Sequence, residues 1–167
     1  MSFQIHALAG NDFEALFGLS DAALKHMGTL RVTADSKPGF PCRVSLQDAD
    51  IGDELILTNF EHLTGLTPYQ ASHAIYVRKG AHQATPDRNE VPQSLSLRIL
   101  SVRAFGDDHL MKEADLVEGK ELAAKLDALF ANPAVEYVHI HNAKQGCFAA
   151  KATRSGFAER ASPNPFQ

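Results

Sequence analysis

The stretch Val135-Glu136-Tyr137-Val138-His139-Ile140-His141-Asn142-Ala143-Lys144-Gln145-Gly146-Cys147-Phe148-Ala149 gathers more chemically competent side chains than any other part of the chain. It reads as a strand, a turn and a returning strand. Side chains alternate across a strand, so Val138 and Ile140 fall on one face while Tyr137, His139 and His141 fall on the other. The first face suits a core and the second suits chemistry. A turn spanning Asn142 to Gly146 is expected to bring Cys147 across from His141, onto the same polar face.

Working outward, Asn11 and Asp12 ahead of Phe13-Glu14-Ala15-Leu16-Phe17 predict a capped short helix, and Ser20 ahead of Asp21-Ala22-Ala23-Leu24 predicts a second, stopped by Gly28. Leu30 to Ala34 is alternating and β-branched, hence a strand; Asp35-Ser36-Lys37-Pro38-Gly39-Phe40-Pro41 forms a rigid loop, and Cys42 to Leu46 is strand-like again. Glu54 to Phe60 is a strand with Leu55, Leu57 and Asn59 on one face, and Ser72 to Arg78 is another with His73, Ile75 and Val77 on one face. Gly80 to Pro92 is loop. Leu95, Leu97 and Ile99 alternate, although Pro92 ahead of Gln93-Ser94-Leu95 could instead open a helical turn; a strand from about Arg98 to Phe105 is the favoured reading. After Gly106-Asp107-Asp108, His109 to Val117 reads as a further strand. The clearest helix is Lys120 to Ala131, in which Leu122, Leu126, Leu129 and Phe130 recur at helical spacing until Pro133 forbids continuation. Strand runs with few helices between them predict an α+β fold: one domain with a mainly antiparallel sheet, two short N-terminal helices and one longer helix near the C-terminus. That domain is expected to occupy 1–152, followed by a loosely ordered tail over 153–167, which is rich in Pro, Ser and Gly.

The chain has 167 residues and is 44% hydrophobic, enough for one domain with a sizeable core. Its 16 Lys and Arg are scattered among 20 acids for a net charge of −4, which offers no footprint for nucleic acid or an anionic membrane. No stretch approaches the roughly 18 apolar residues of a membrane span, and the N-terminus lacks the form of a secretion signal, so a cytoplasmic location is expected. Cys42 and Cys147 are the only cysteines and are expected to be reduced. Of the eight histidines, His6, His26, His62, His82 and His109 stand singly in polar or loop-like surroundings and are expected to be solvated.

Three chemistries fit the remaining residues. His139, His141, Cys42 and Cys147 could supply four N and S ligands to zinc. Alternatively His139 or His141 could serve as acid or base, with Cys147 or Cys42 as a nucleophile activated by a neighbouring imidazole. The third is a polar pocket for a small anionic or carbonyl-bearing molecule, built from Lys37, Cys42, Arg43, Arg78, Asn142 and Lys144 together with His73 and the two hairpin histidines. Against this, Arg43, Arg78 and Arg103 could simply cover an outer sheet face or pair with Asp35, Asp48 and Glu54. The pocket requires the fewest special assumptions. Binding of a small polar or anionic ligand, with or without catalysis, is therefore the expected function, ahead of a zinc protein and a non-catalytic interaction module. Neither a cofactor nor an oligomeric state is legible.

The runs Val32-Thr33-Ala34-Asp35-Ser36-Lys37-Pro38-Gly39-Phe40-Pro41-Cys42-Arg43, Asp48-Ala49-Asp50-Ile51-Gly52-Asp53-Glu54 and Ala74-Ile75-Tyr76-Val77-Arg78, with Arg103-Ala104-Phe105 and the His139 to Phe148 hairpin, resemble a family of small bacterial proteins catalogued as a domain of unknown function. Pro-Gly-Phe-Pro-Cys-Arg and His-Asn-Ala-Lys are the specific motifs, and the likeness runs from Phe3 to about Ala152. It implies a bacterial single-domain protein and brings no reaction, cofactor or catalytic residue. Ser72-His73 departs from the Thr-Gly or Ser-Gly of such relatives.

Overall fold

Residues 2–156 are described by a computed structural model. Strand β1 (Phe3–His6) leads into helix α1 (Asn11–Glu14), which tightens into a 3₁₀ turn over Ala15–Gly18, and then into α2 (Asp21–His26). Three strands follow: β2 (Leu30–Thr33), β3 (Glu54–Leu63) and β4 (Ala71–Arg78). The helical turn α3 (Gln93–Ser96) precedes β5 (Ile99–Phe105) and β6 (Met111–Glu118). Helix α4 (Leu122–Ala131) and the hairpin β7 (Tyr137–Asn142) and β8 (Phe148–Arg154) complete the chain. The architecture is α+β, with a five-stranded sheet ordered β1-β8-β7-β5-β6 and a three-stranded sheet ordered β2-β3-β4, both antiparallel throughout. No helix among the described residues is long and apolar enough to cross a membrane.

Alternation along β7 sets the layering. Val138 and Ile140 enter a core shared with Leu100, Val102 and Ala104 of β5, Ala150 and Ala152 of β8, and the α4 residues Leu122, Leu126, Leu129 and Phe130. Each of those α4 side chains is at most 1% exposed, and burying one contributes about 1.5–3 kcal/mol. This seats the helix on the sheet. The opposite face of the five-stranded sheet is turned toward the small sheet, where Phe148 meets Phe60 and His62. A second apolar cluster, comprising Phe13, Cys42, Val44, Ile56, Ile75 and Val77, fills the space between the small sheet and the N-terminal helices.

Several local expectations need correction. The N-terminus is not purely helical: Phe3 and Ile5 are buried in β1, which pairs with β8 from the far end of the chain. Ser20 does cap α2, accepting from the Ala23 amide at 3.2 Å, but the N-cap of α1 is Gly10, which offers no side-chain cap. Cys42 to Leu46 is not a strand. The Leu46 amide donates back to the Cys42 carbonyl at 3.0 Å and Leu46 adopts a left-handed φ of 52°, so the segment turns, joined to β4 by the Cys42–Tyr76 bridge and to β8 by the Arg43 side chain. Strand β3 runs three residues past Phe60. At the other end, Thr153 and Arg154 belong to β8 and pair with Gln4 and Phe3; the rest of the expected tail, from 157, lies outside the described residues.

Candidate functional site

Every residue of β7 is buried, although three of its six side chains are polar histidines or asparagine. That is possible because the face opposite α4 is covered by the small sheet. On this inner face, His139 is paired with Arg103 of β5 and Lys151 of β8, and His141 with Ser101 of β5. A bulge between Ile140 and His141 sets Phe148, not the expected Cys147, opposite His141. Gly146, at φ 75°, lets the turn close with its amide donating to the Asn142 carbonyl at 2.8 Å.

From the small sheet, β3 contributes His62 and β4 contributes His73. His62 Nε2 lies 2.9 Å from His73 Nδ1, and His62 Nδ1 lies 3.1 Å from His139 Nδ1. The His62 ring stacks on Phe148, with centroids 5.0 Å apart and planes 9° from parallel, which fixes its orientation. His141 stands edge-on to both, at 4.9 Å from His62 and 5.2 Å from His73. His141 Nδ1 donates to the Gly146 carbonyl at 2.9 Å, which leaves the lone pair on Nε2. That Nε2 is fully buried and has no hydrogen-bond partner among the described residues. One ring nitrogen from each of His62, His73 and His141 lies within 4.8 Å of the other two.

Burial, reinforced by neighbouring imidazoles and Arg103, pushes His139 down to about 2 and His62 to about 4. Burial likewise takes His141 down to about 3, against the opposing pull of its bond to Gly146, and lowers His73. All four imidazoles are therefore neutral at neutral pH, the form in which imidazole is a metal ligand.

The loop before β3 meets the hairpin through Arg43. This guanidinium is 2% exposed; Nε donates to the Phe148 carbonyl at 2.8 Å, one terminal nitrogen to the Pro41 carbonyl at 2.5 Å, and the other to Cys147 Sγ at 3.0 Å. No carboxylate pairs with it among the described residues, so Arg43 neither covers an outer face nor neutralises Asp48, which is held by Arg98. Beside it lies a cavity of about 350 Å³ lined by Arg43, His73, Tyr76, Arg98, Asn142 and Cys147. Asn142 donates from Nδ2 toward Cys147 Sγ at 3.5 Å, while its buried Oδ1 is unpartnered among the described residues.

Other expected site residues fall elsewhere. Cys42 is 1% exposed within the second apolar cluster, its sulfur accepting from the Ser45 and Arg78 amides. Lys37 pairs with Asp50, and Arg78 approaches Asp53 at 3.9 Å. Lys144 is exposed on the hairpin turn. Of the proposed zinc set His139, His141, Cys42 and Cys147, only His141 belongs to the geometric triad; His139 sits behind His62, and Cys147 faces Arg43 and Asn142. His62 was expected to be solvated and instead touches all three other histidines. The available signal was the alternation of Ile56, Thr58, Phe60 and His62, which places it on the inner face of β3. His109, also expected in solvent, bonds the Tyr137 hydroxyl at 2.9 Å.

A family model described as "Protein of unknown function (DUF1203)" matches residues 39–154. No curated protein and no solved structure matches the chain.

Proposed function

We propose that this chain, which belongs to that family of unknown function, binds a divalent transition metal through His62, His73 and His141. The observation that carries this reading is the approach of one ring nitrogen from each of His62, His73 and His141 to within 4.8 Å of the other two, beside which the buried Nε2 of His141 stands unpartnered among the described residues. A buried polar atom left unpaired costs about 1–3 kcal/mol, and a metal bond relieves that cost. Zinc–nitrogen bonds of about 2.0–2.1 Å in a tetrahedron separate ligand atoms by about 3.3 Å. The 2.9 Å between His62 and His73 is near that value, and the 4.8 Å limit on the group closes with small side-chain shifts. The surrounding shell fits too. The Gly146 carbonyl orients His141, and His139 Nδ1 is placed to accept from His62 Nδ1, which puts the His62 lone pair on Nε2, the nitrogen facing His73 Nδ1.

Three protein ligands leave a fourth position for water or a ligand, the arrangement of a reactive rather than a structural metal. Half-buried His73 also lines the 350 Å³ cavity, so a small polar molecule held there lies beside the open position. Binding of a small ligand and binding of a metal are thus one site. The test is elemental analysis of protein purified without chelators. About one equivalent of a transition metal is expected, lost in His62→Ala and His141→Ala. Less than about a tenth of an equivalent, together with no rise in melting temperature on adding zinc, would overturn the reading.

A further inference from the structure

Arg103 is a charged group of the inner face that this metal site does not use. It lies directly across from His139 in the β5–β7 register, and Ser101, two residues away, lies across from His141. Residues opposite one another on one sheet face have Cβ atoms about 4.5–5.5 Å apart. Arg103 Nε donates to Ser101 Oγ at 3.4 Å, so the side chain runs along the strand toward His141. Its two terminal nitrogens have no hydrogen-bond partner and no carboxylate among the described residues. Three acids of the neighbouring strands and loop are engaged elsewhere: Asp48 with Arg98, Asp53 with Arg78, and Glu54 with Arg31 and Lys79. Lys151, across from His139 on β8, lies over the Tyr137 ring and adds a second positive charge to this face.

From this placement we infer that Arg103 holds an anionic group of the substrate, a carboxylate or a phosphate, while another atom of that group or its neighbour occupies the open metal position. The inference rests on the three-histidine metal reading. Three neutral imidazoles bring no negative charge to a divalent ion, and Arg103 and Lys151 add two further positive charges, so the assembled site is short of anions. A guanidinium with a free pair of donors supplies the planar fork that carboxylates and phosphates match. A neutral substrate would leave that half-buried fork without an acceptor.

The test uses the full chain loaded with cobalt(II), whose visible bands report ligand exchange at the metal, titrated with inorganic phosphate and with acetate. Saturable band shifts with at least one of them are expected for the wild type. Arg103→Gln should retain cobalt stoichiometry and folded circular dichroism but bind the anion about 10- to 150-fold more weakly, since a charge-assisted hydrogen bond contributes about 1.5–3 kcal/mol. Arg103→Lys should fall between them. Equal anion affinity in wild type and Arg103→Gln, or no response of the wild-type bands to either anion, would overturn the role of Arg103 while leaving the metal site standing. Failure of the wild type to bind cobalt would overturn the metal site and the inference with it.

Discussion

Lowering the pH of the metal-free protein from about 7.5 to about 5 should remove about 4 kcal/mol of its folding stability, through His139 and His141 alone. Both are almost wholly enclosed, at 3% and 0% exposure. Burial drives their titration down to about 2 and about 3, whereas an unfolded histidine titrates near about 6.5. Between those values the unfolded chain binds more protons than the folded one. Stability is therefore fully present above about pH 6.5 and is lost as the pH falls toward the folded values. Each group loses about 1.4 kcal/mol per pH unit, hence about 2 kcal/mol at about pH 5. His62, pushed down to about 4, and His73, lowered, act in the same direction. The partly buried Asp48 belongs to another window: burial opposes its ionisation, yet Arg98 and the Gly39 amide hold it below the ordinary carboxylate range, so its loss comes below about pH 4. Urea unfolding followed by circular dichroism at about pH 7.5, 6 and 5, with chelator present, measures the slope. His139→Gln/His141→Gln should flatten it by about two protons. A change of less than about 1 kcal/mol across the interval, or an unaltered slope in the double variant, would refute the enclosure of neutral imidazoles.

Arg43→Met should keep most of the packing while leaving the Phe148 and Pro41 carbonyls without their donor. Each loss costs about 1–3 kcal/mol, and release from burying the guanidinium offsets part of it. A net loss of about 2–4 kcal/mol, or a melting temperature lower by about 4–16 °C in calorimetry, is the expected result; an unchanged melting temperature would show that these bonds only balance the cost of desolvation. Alkylation with mass mapping should modify Cys147, which is partly accessible, in the native protein and Cys42, 1% exposed, only after unfolding. Equal native reactivity of the two thiols would contradict the placement of Cys42 in the apolar cluster.

The sequence was most informative where alternation persisted long enough for one face to be recognisably apolar. Strands β4, β5 and β7 and the leucine stripe of α4 are of this kind, and they suffice for an antiparallel α+β domain. Strand β1 has little local signature, because four residues carry only Phe3 and Ile5 as inward positions, and what makes them a strand is β8, nearly the whole chain away. Cys42 to Leu46 failed in the opposite direction. Its alternation is real, but Arg43 is drawn to Phe148, Pro41 and Cys147, and Leu46 turns back onto Cys42. Long-range polar contacts overrode a weak local preference.

For the site, His139 and His141 could be read from one strand, but their partners could not, because His62 and His73 approach across the gap between two sheets. The cysteines drew attention through their motifs, yet a free thiol is commonly a small buried hydrophobe, which is how Cys42 is used. A stronger criterion was present in the strands themselves. His73 shares a face with Ile75 and Val77, and His62 shares one with Ile56, Thr58 and Phe60; in both strands the companions Ile56, Thr58, Ile75 and Val77 are buried. A polar side chain on such a face must find partners or incur the cost of desolvation. Four histidines meet that condition on three strands of two sheets, with no carboxylate among the described residues bonded to any of their rings. Hydrogen bonding among them still leaves His141 Nε2 unpaired. What that atom lacks is an electron-pair acceptor, which the proposed metal ion would supply.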